Sequence, residues 1–211
     1  MDDTPSTSDG DTPRRNTSSR ELPVLILIAI VIAFLLRSLV VQVFYIPSSS
    51  MEPTLQVNDR IAVEKLSYRF RDVTAGDVVV FDSGTPVQND PAPLIIRAVR
   101  GVGQVLGVVP TSARDYVKRV VAVGGDEIVI TDGTVFINGE ELNEPYVVNQ
   151  DRDTFGPFIV PDGHLFFLGD NRPNSADSRR SLGSVPEDRV VGRAVTVIWP
   201  PARFGSVHST N

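Results

Sequence analysis

The chain is 211 residues long, with 41% hydrophobic residues, a formal net charge of −6, no cysteine and two histidines, His164 and His208. That length suits one packed domain plus extensions. The lack of cysteine excludes disulfide frameworks and thiolate metal sites, the histidines are not at ligand spacing, and the negative balance offers nothing to nucleic acid. No metal, cofactor or nucleic-acid partner is therefore expected.

Residues 1–21 are mostly Asp, Ser, Thr, Pro and Arg with almost no apolar content. Such a stretch cannot offset its ordering entropy and reads as a disordered tail. From Leu22 to Leu36 every residue is apolar, Pro23 included; Arg37 and Ser38 interrupt, and Leu39, Val40, Val41, Val43 and Phe44 resume. A bilayer core takes ~20 apolar residues in a helix, so 22–43 reads as a transmembrane anchor, with Arg37 snorkelling or facing protein. A cleaved signal peptide has a shorter apolar run of ~7–15 residues. A buried soluble helix would carry a polar face, which this run lacks. Arg14, Arg15 and Arg20 precede the run and hold the tail in the cytoplasm, leaving most of the chain outside.

After Ser50 the pattern turns to β. Arg60–Glu64, Val78–Phe81 and Tyr116–Val123 are short β-branched runs, the second preceded by a Gly76-Asp77 turn signal. Ile128–Ile130 and Val135–Ile137, joined through Thr131-Asp132-Gly133, read as a hairpin, and Asn138-Gly139 begins another tight turn. His164–Leu168 and Val190–Ile198 complete the set. Short strands with Gly, Asp and Pro turns and no intervening helices imply a mainly β domain, an antiparallel barrel or folded sheet. Residues 83–115 form an insertion, loop-like through Pro93, then apolar and slightly basic from Leu94 to Val109. The spacing there fits an interfacial helix, while Gly101, Gly103 and Gly107 fit a mobile loop. The expected organisation is a tail at 1–21, an anchor at 22–43, a catalytic domain at 44–204 containing the insertion, and a second tail at 205–211.

Three polar elements remain. Ile46-Pro47-Ser48-Ser49-Ser50-Met51-Glu52-Pro53-Thr54-Leu55 has the composition of a juxtamembrane linker. Lys118, within Tyr116-Val117-Lys118-Arg119-Val120-Val121, sits mid-strand, where a lysine and its neighbour Arg119 usually mark a solvated face. Gly169 to Arg179, dense in turn formers, has the look of a hydrogen-bonded loop. Taken together, in this order, and with the Gly76–Phe81 strand and Gly124-Gly125-Asp126, they resemble the type I signal peptidases, the Ser–Lys proteases of bacterial membranes.

That resemblance implies specific roles. Ser50 is the nucleophile and Lys118 the general base. Ser48 joins the Ser50 N–H in the oxyanion hole, and Ser175 hydrogen-bonds the lysine ammonium group. Asp177 and Arg179 form a structural ion pair, while Asp170 and Arg172 support the same loop. Phe44, Ile46, Leu55 and Val117 wall pockets for small substrate residues. The residues themselves are compatible with these roles. A serine needs a base within reach, and a lysine of ordinary pKa ~10.4 becomes one only when apolar burial disfavours its charge. Val117, Val120 and Met51 are surroundings of that kind. A Ser-His-Asp triad would have to recruit His164, which Asp162-Gly163 places at a strand start. The resemblance implies a single-pass enzyme of the bacterial cell membrane, acting outside the cytoplasm on secretory preproteins with small residues one and three places before the cut, and touching the lipid bilayer. Two rivals are a self-cleaving regulator, which would carry a DNA-binding module, and a membrane-tethered β module without catalysis.

Overall fold

The computed structural model describes residues 21–82 and 115–207. The expected tail through residue 20, the insertion from 83 to 114 with its Leu94–Val109 stretch, and His208 lie outside the described residues. The chain divides into two compact units, Met1–Arg37 and Ser38–Asn211.

Helix α1 spans Glu21–Val40, ~30 Å at 1.5 Å per residue. Its described side chains from Leu22 to Ile30 are exposed, and they cover less than half of the ~20 residues a membrane span needs. Among the described residues no helix is long and apolar enough to cross a membrane. The helix stops short of the expected anchor end at residue 43. Val41, Gln42 and Val43 belong instead to strand β1 (Val41–Tyr45), paired antiparallel with β2 (Arg60–Glu64). β-Branched valines alternating with Gln42 suit a ladder better than a helix end, and pairing satisfies their backbone groups.

The second unit is mainly β and antiparallel. Its large sheet also contains β3 (Val78–Asp82), β4 (Asp115–Val123), β9 (His164–Leu168), β10 (Val185–Pro186) and β11 (Val190–Trp199). The order is β1-β2-β11-β3-β4-β9-β10, with β12 (Gly205–Ser206) attached to β11, so among the described residues the sheet is open-ended, with no pairing that closes it into a barrel. A smaller sheet, ordered β7-β6-β5-β8, holds β5 (Glu127–Thr131), β6 (Thr134–Ile137), β7 (Glu140–Glu141) and β8 (Phe155–Ile159). Its two hairpin turns follow from Asp132-Gly133 and Asn138-Gly139, all at positive φ, the geometry that matches strand twist. β7 and β8 are invisible to an apolar pattern, because one is Glu-Glu and the other carries Gly156 and Pro157. The expected tail from 205 is also revised: Gly205 and Ser206 pair with β11, and Val207 is buried in the core.

Alternation along β3 separates two cores. Val78 and Val80 join Phe44, Met51, Leu55 and Ile61 on one face; Val79 and Phe81 join Val120 and Phe167 on the other. Phe81 is fully buried, stacked on Phe167 at 4.3 Å between ring centroids. Phe81→Ala is therefore expected to cost about 3–5 kcal/mol of stability, read as a lower chemical-denaturation midpoint.

Candidate active site

The site begins where β1 runs out. Ile46 N–H donates to the Asp59 carbonyl at 2.9 Å and Asn58 N–H to the Ile46 carbonyl at 2.9 Å, closing the base of a loop. Inside it Glu52 N–H reaches the Ser49 carbonyl at 3.1 Å and Leu55 N–H the Met51 carbonyl at 2.8 Å, a tight turn. Buried Ile46, Met51 and Leu55 pin this turn to the core, which leaves Ser50 held rigidly at its start.

Strand β4 brings the partner. Lys118 lies opposite Val79 in the middle of the sheet, and its side chain is only 3% exposed. Its Nζ stands 2.7 Å from Ser50 Oγ and donates to the Val117 carbonyl at 3.0 Å. Burial lowers the Lys118 pKa to about 8, while the Asp177 and Asp170 carboxylates act in the opposite direction. A useful fraction of the amine is thus neutral near pH 7. Ser48 Oγ lies 3.5 Å from Ser50 Oγ. These groups open into a cleft of about 300 Å³ walled by Phe44, Ile46, Tyr116 and Val117, with Asn174 and Ala176 at its side. Leu55 is not among the lining residues; it is fully buried in the core.

The loop after β9 closes the site. Asp170 is 1% exposed and receives Arg119 through two bonds, Nε at 2.9 Å and Nη2 at 2.7 Å, plus the Thr54 hydroxyl. Arg119 is therefore no solvated strand residue. It is buried, donates to the Gly76 carbonyl at 3.0 Å, and lies 3.8 Å over the Tyr146 ring. Arg172 is buried, with Nε on the Gly169 carbonyl and Nη2 paired to Glu144. Asp177 and Arg179 form a two-bond ion pair, each bond 2.9 Å, and Arg179 also reaches Asp151 at 2.6 Å. Ser175 departs from its expected bond. It is 1% exposed and its Oγ has no hydrogen-bond partner; the Lys118 amine contacts Ser50 and the Val117 carbonyl instead. His164 lies elsewhere, at the start of β9 opposite Pro186, with Nδ1 3.1 Å from the Asp162 carbonyl.

Sequence reasoning missed Arg119, Thr54, Asn171, Glu144 and Tyr146. Arg119 and Asp170 are 51 positions apart, so no local pattern announces their pairing. The available clue was alternation: if Lys118 faces apolar surroundings, a charged neighbour on the other face of a central strand needs a partner.

A serine hydroxyl within hydrogen-bond reach of a buried, weakly basic amine, beside an apolar cleft, is an arrangement suited to serine hydrolysis with lysine as base. The comparisons agree with that class. The family model for signal peptidase, peptidase S26, matches residues 19–199. Signal peptidase I of Mycobacterium tuberculosis is 38% identical over 97% of this chain and 80% of its own length. A probable signal peptidase I-2 of Synechocystis is 38% identical over 92% and 79%. A solved signal peptidase I from Enterococcus faecalis aligns with 59% of this chain and 98% of its own, at TM-score 0.41 and 24% identity. The chain belongs to the signal peptidase family, peptidase S26.

If Lys118 acts as the base, activity requires its unprotonated form. The rate is then expected to climb with pH along a limb centred near pH 8, and His164→Ala should leave that limb in place. A limb near ~6.5, the ordinary histidine value, that vanished in His164→Ala would count against Lys118.

Proposed function

We infer that this chain, a serine peptidase by family, is a membrane-anchored endopeptidase that removes N-terminal signal peptides from exported preproteins. The observation that carries this reading is the 2.7 Å approach of Lys118 Nζ to Ser50 Oγ beside an apolar cleft. Lys118 takes the Ser50 proton as Oγ attacks the scissile carbonyl, then passes it to the departing amine, leaving an ester on Ser50. Water, deprotonated by Lys118, opens that ester and frees the enzyme. The Ser50 N–H and the Ser48 hydroxyl receive the negative charge on the carbonyl oxygen in each step.

The walls supplied by Phe44, Ile46 and Val117 leave limited space beside the dyad, which fits small side chains one and three places before the cut. The apolar run from Leu22 serves as the anchor, with the N-terminus in the cytoplasm and the catalytic unit outside the bacterial cell membrane. The substrate is then a secretory preprotein still held in the bilayer by its own apolar segment. Asp177 with Arg179, and Asp170 with Arg119, give the surrounding loop its rigidity.

Ser50→Ala and Lys118→Ala are each expected to abolish cleavage of a model preprotein, with the double variant no worse than either, because residues acting as a unit are non-additive. Near wild-type turnover in Lys118→Ala would overturn the dyad. Ser48→Ala should lower kcat on the order of 10²–10³-fold with little change in KM, the signature of a lost oxyanion donor. Ser49→Ala should be mild, and equal effects from the two serines would remove Ser48 from the assignment.

A further inference from the structure

The loop after β9 contains a buried polar residue, Asn171, that takes no part in the chemistry above. Asn171 is 2% exposed and is not among the residues lining the cleft. Its backbone N–H donates to the Ser50 carbonyl at 3.1 Å, and its Nδ2 donates to the Ser49 carbonyl at 3.0 Å. The orientation of the amide is set by the Ser49 carbonyl, which can only accept, so the nitrogen of Asn171 faces it. On the other side Asn174 Nδ2 donates to Asn171 Oδ1 at 3.3 Å. Two consecutive carbonyls of the nucleophile turn are thus gripped by one residue.

The two segments lie unusually close. A Cβ added at Gly169 would sit 2.5 Å from the Ser50 carbonyl oxygen and 2.3 Å from Ser175 Oγ. Only glycine permits that approach, and it is what brings Asn171 within reach of the turn.

The consequence follows from peptide planarity. The Ser49 carbonyl and the Ser50 N–H belong to one rigid trans peptide and point in opposite directions. The Ser49 carbonyl accepts from Glu52 N–H at 3.1 Å within the turn and from Asn171 Nδ2 at 3.0 Å across it; two donors from different directions fix the carbonyl, and with it the direction of the N–H on the other side. We propose that Asn171 is a positioning residue that aims the Ser50 N–H at the developing oxyanion by holding the Ser49–Ser50 peptide plane from behind. This rests on the reading of Ser50 as nucleophile with its N–H as oxyanion donor. Asn171 touches neither the Ser50 hydroxyl nor the Lys118 amine in the contacts it makes; it acts through the peptide alone.

The test uses the full chain in detergent micelles. Asn171→Ala keeps the backbone bond to Ser50 and removes the side-chain bond to Ser49. Misplacing a reacting group by ~1 Å costs about 10²-fold, so kcat should fall about 10–100-fold with KM within about twofold. The pH limb set by Lys118 should not move. A substrate-derived peptide boronate, which places a tetrahedral oxyanion on Ser50, should lose affinity by the same factor as kcat, while an uncleavable peptide of the same sequence binds as before. A merely structural role would weaken both ligands together, and that result would overturn the proposal. Asn171→Ser serves if Asn171→Ala does not fold: it keeps a small polar side chain that is too short to reach the Ser49 carbonyl and leaves the backbone bond to Ser50 in place. A drop in kcat of about 10–100-fold with the same split between the two ligands would support the assignment, and wild-type kcat in this variant would count against it. Wild-type kcat in a folded Asn171→Ala beside an inactive Ser50→Ala would remove the positioning role alone. An active Ser50→Ala would remove the nucleophile reading and this inference with it.

Discussion

An ammonium group cannot be stripped of water without penalty, and the second unit is arranged around that constraint. Lys118 is buried to 3% exposure beside Val117 and Ser50, and the buried carboxylates of Asp170 and Asp177 are near enough to act on it. Those carboxylates push the lysine pKa up, but burial outweighs them and brings it down to about 8. Each carboxylate is in turn committed to a guanidinium, Asp170 to Arg119 and Asp177 to Arg179, both through two-bond contacts. These pairs satisfy buried charge and tie the loop to the sheet.

The smaller sheet takes part in this arrangement from a distance. The segment that leaves β7 delivers Tyr146 beneath the Arg119 guanidinium and Glu144 to Arg172. The Tyr146 hydroxyl donates to Glu144 at 3.0 Å, linking the two contacts. Arg119 thereby has a carboxylate in its plane and an aromatic face against it, a pairing that suits a planar cation with little water around it. A lysine at 119 would reproduce neither the fork nor the stack.

Much of this was legible in the residues, and the pattern of success has a physical origin. Strands β2 to β6, β9 and β11 announced themselves because β-branched runs with turn residues between them are local signals. β1 was hidden by the apolar run before it, since valines suit both lipid and a sheet. β7 and β8 carry no apolar alternation, and only pairing with β6 and β5 makes them strands. At the site, Ser50 and Lys118 stand in recognisable boxes, and the structure brings them together. Arg119 was misread because its partner is remote in sequence. The Ser175 bond to lysine was expected from resemblance alone, and the buried hydroxyl stands unpartnered here.

The machinery is drawn from three stretches of chain: the turn at 46–55, strand β4, and the loop after β9. Ser50 and Lys118 are 68 positions apart, and Ser49 and Asn171 are 122 apart. A growing polypeptide that has reached β4 already carries Ser50 and Lys118, yet Arg119 has no Asp170 and the Ser49 carbonyl has only its local Glu52 donor, without Asn171. The contacts that surround Ser50 and Lys118 are therefore completed only once β9 has paired with β4 and the loop beyond it has docked. The site is a product of long-range pairing, and a chain cut before β9 would hold both residues without the groups that fix them in place.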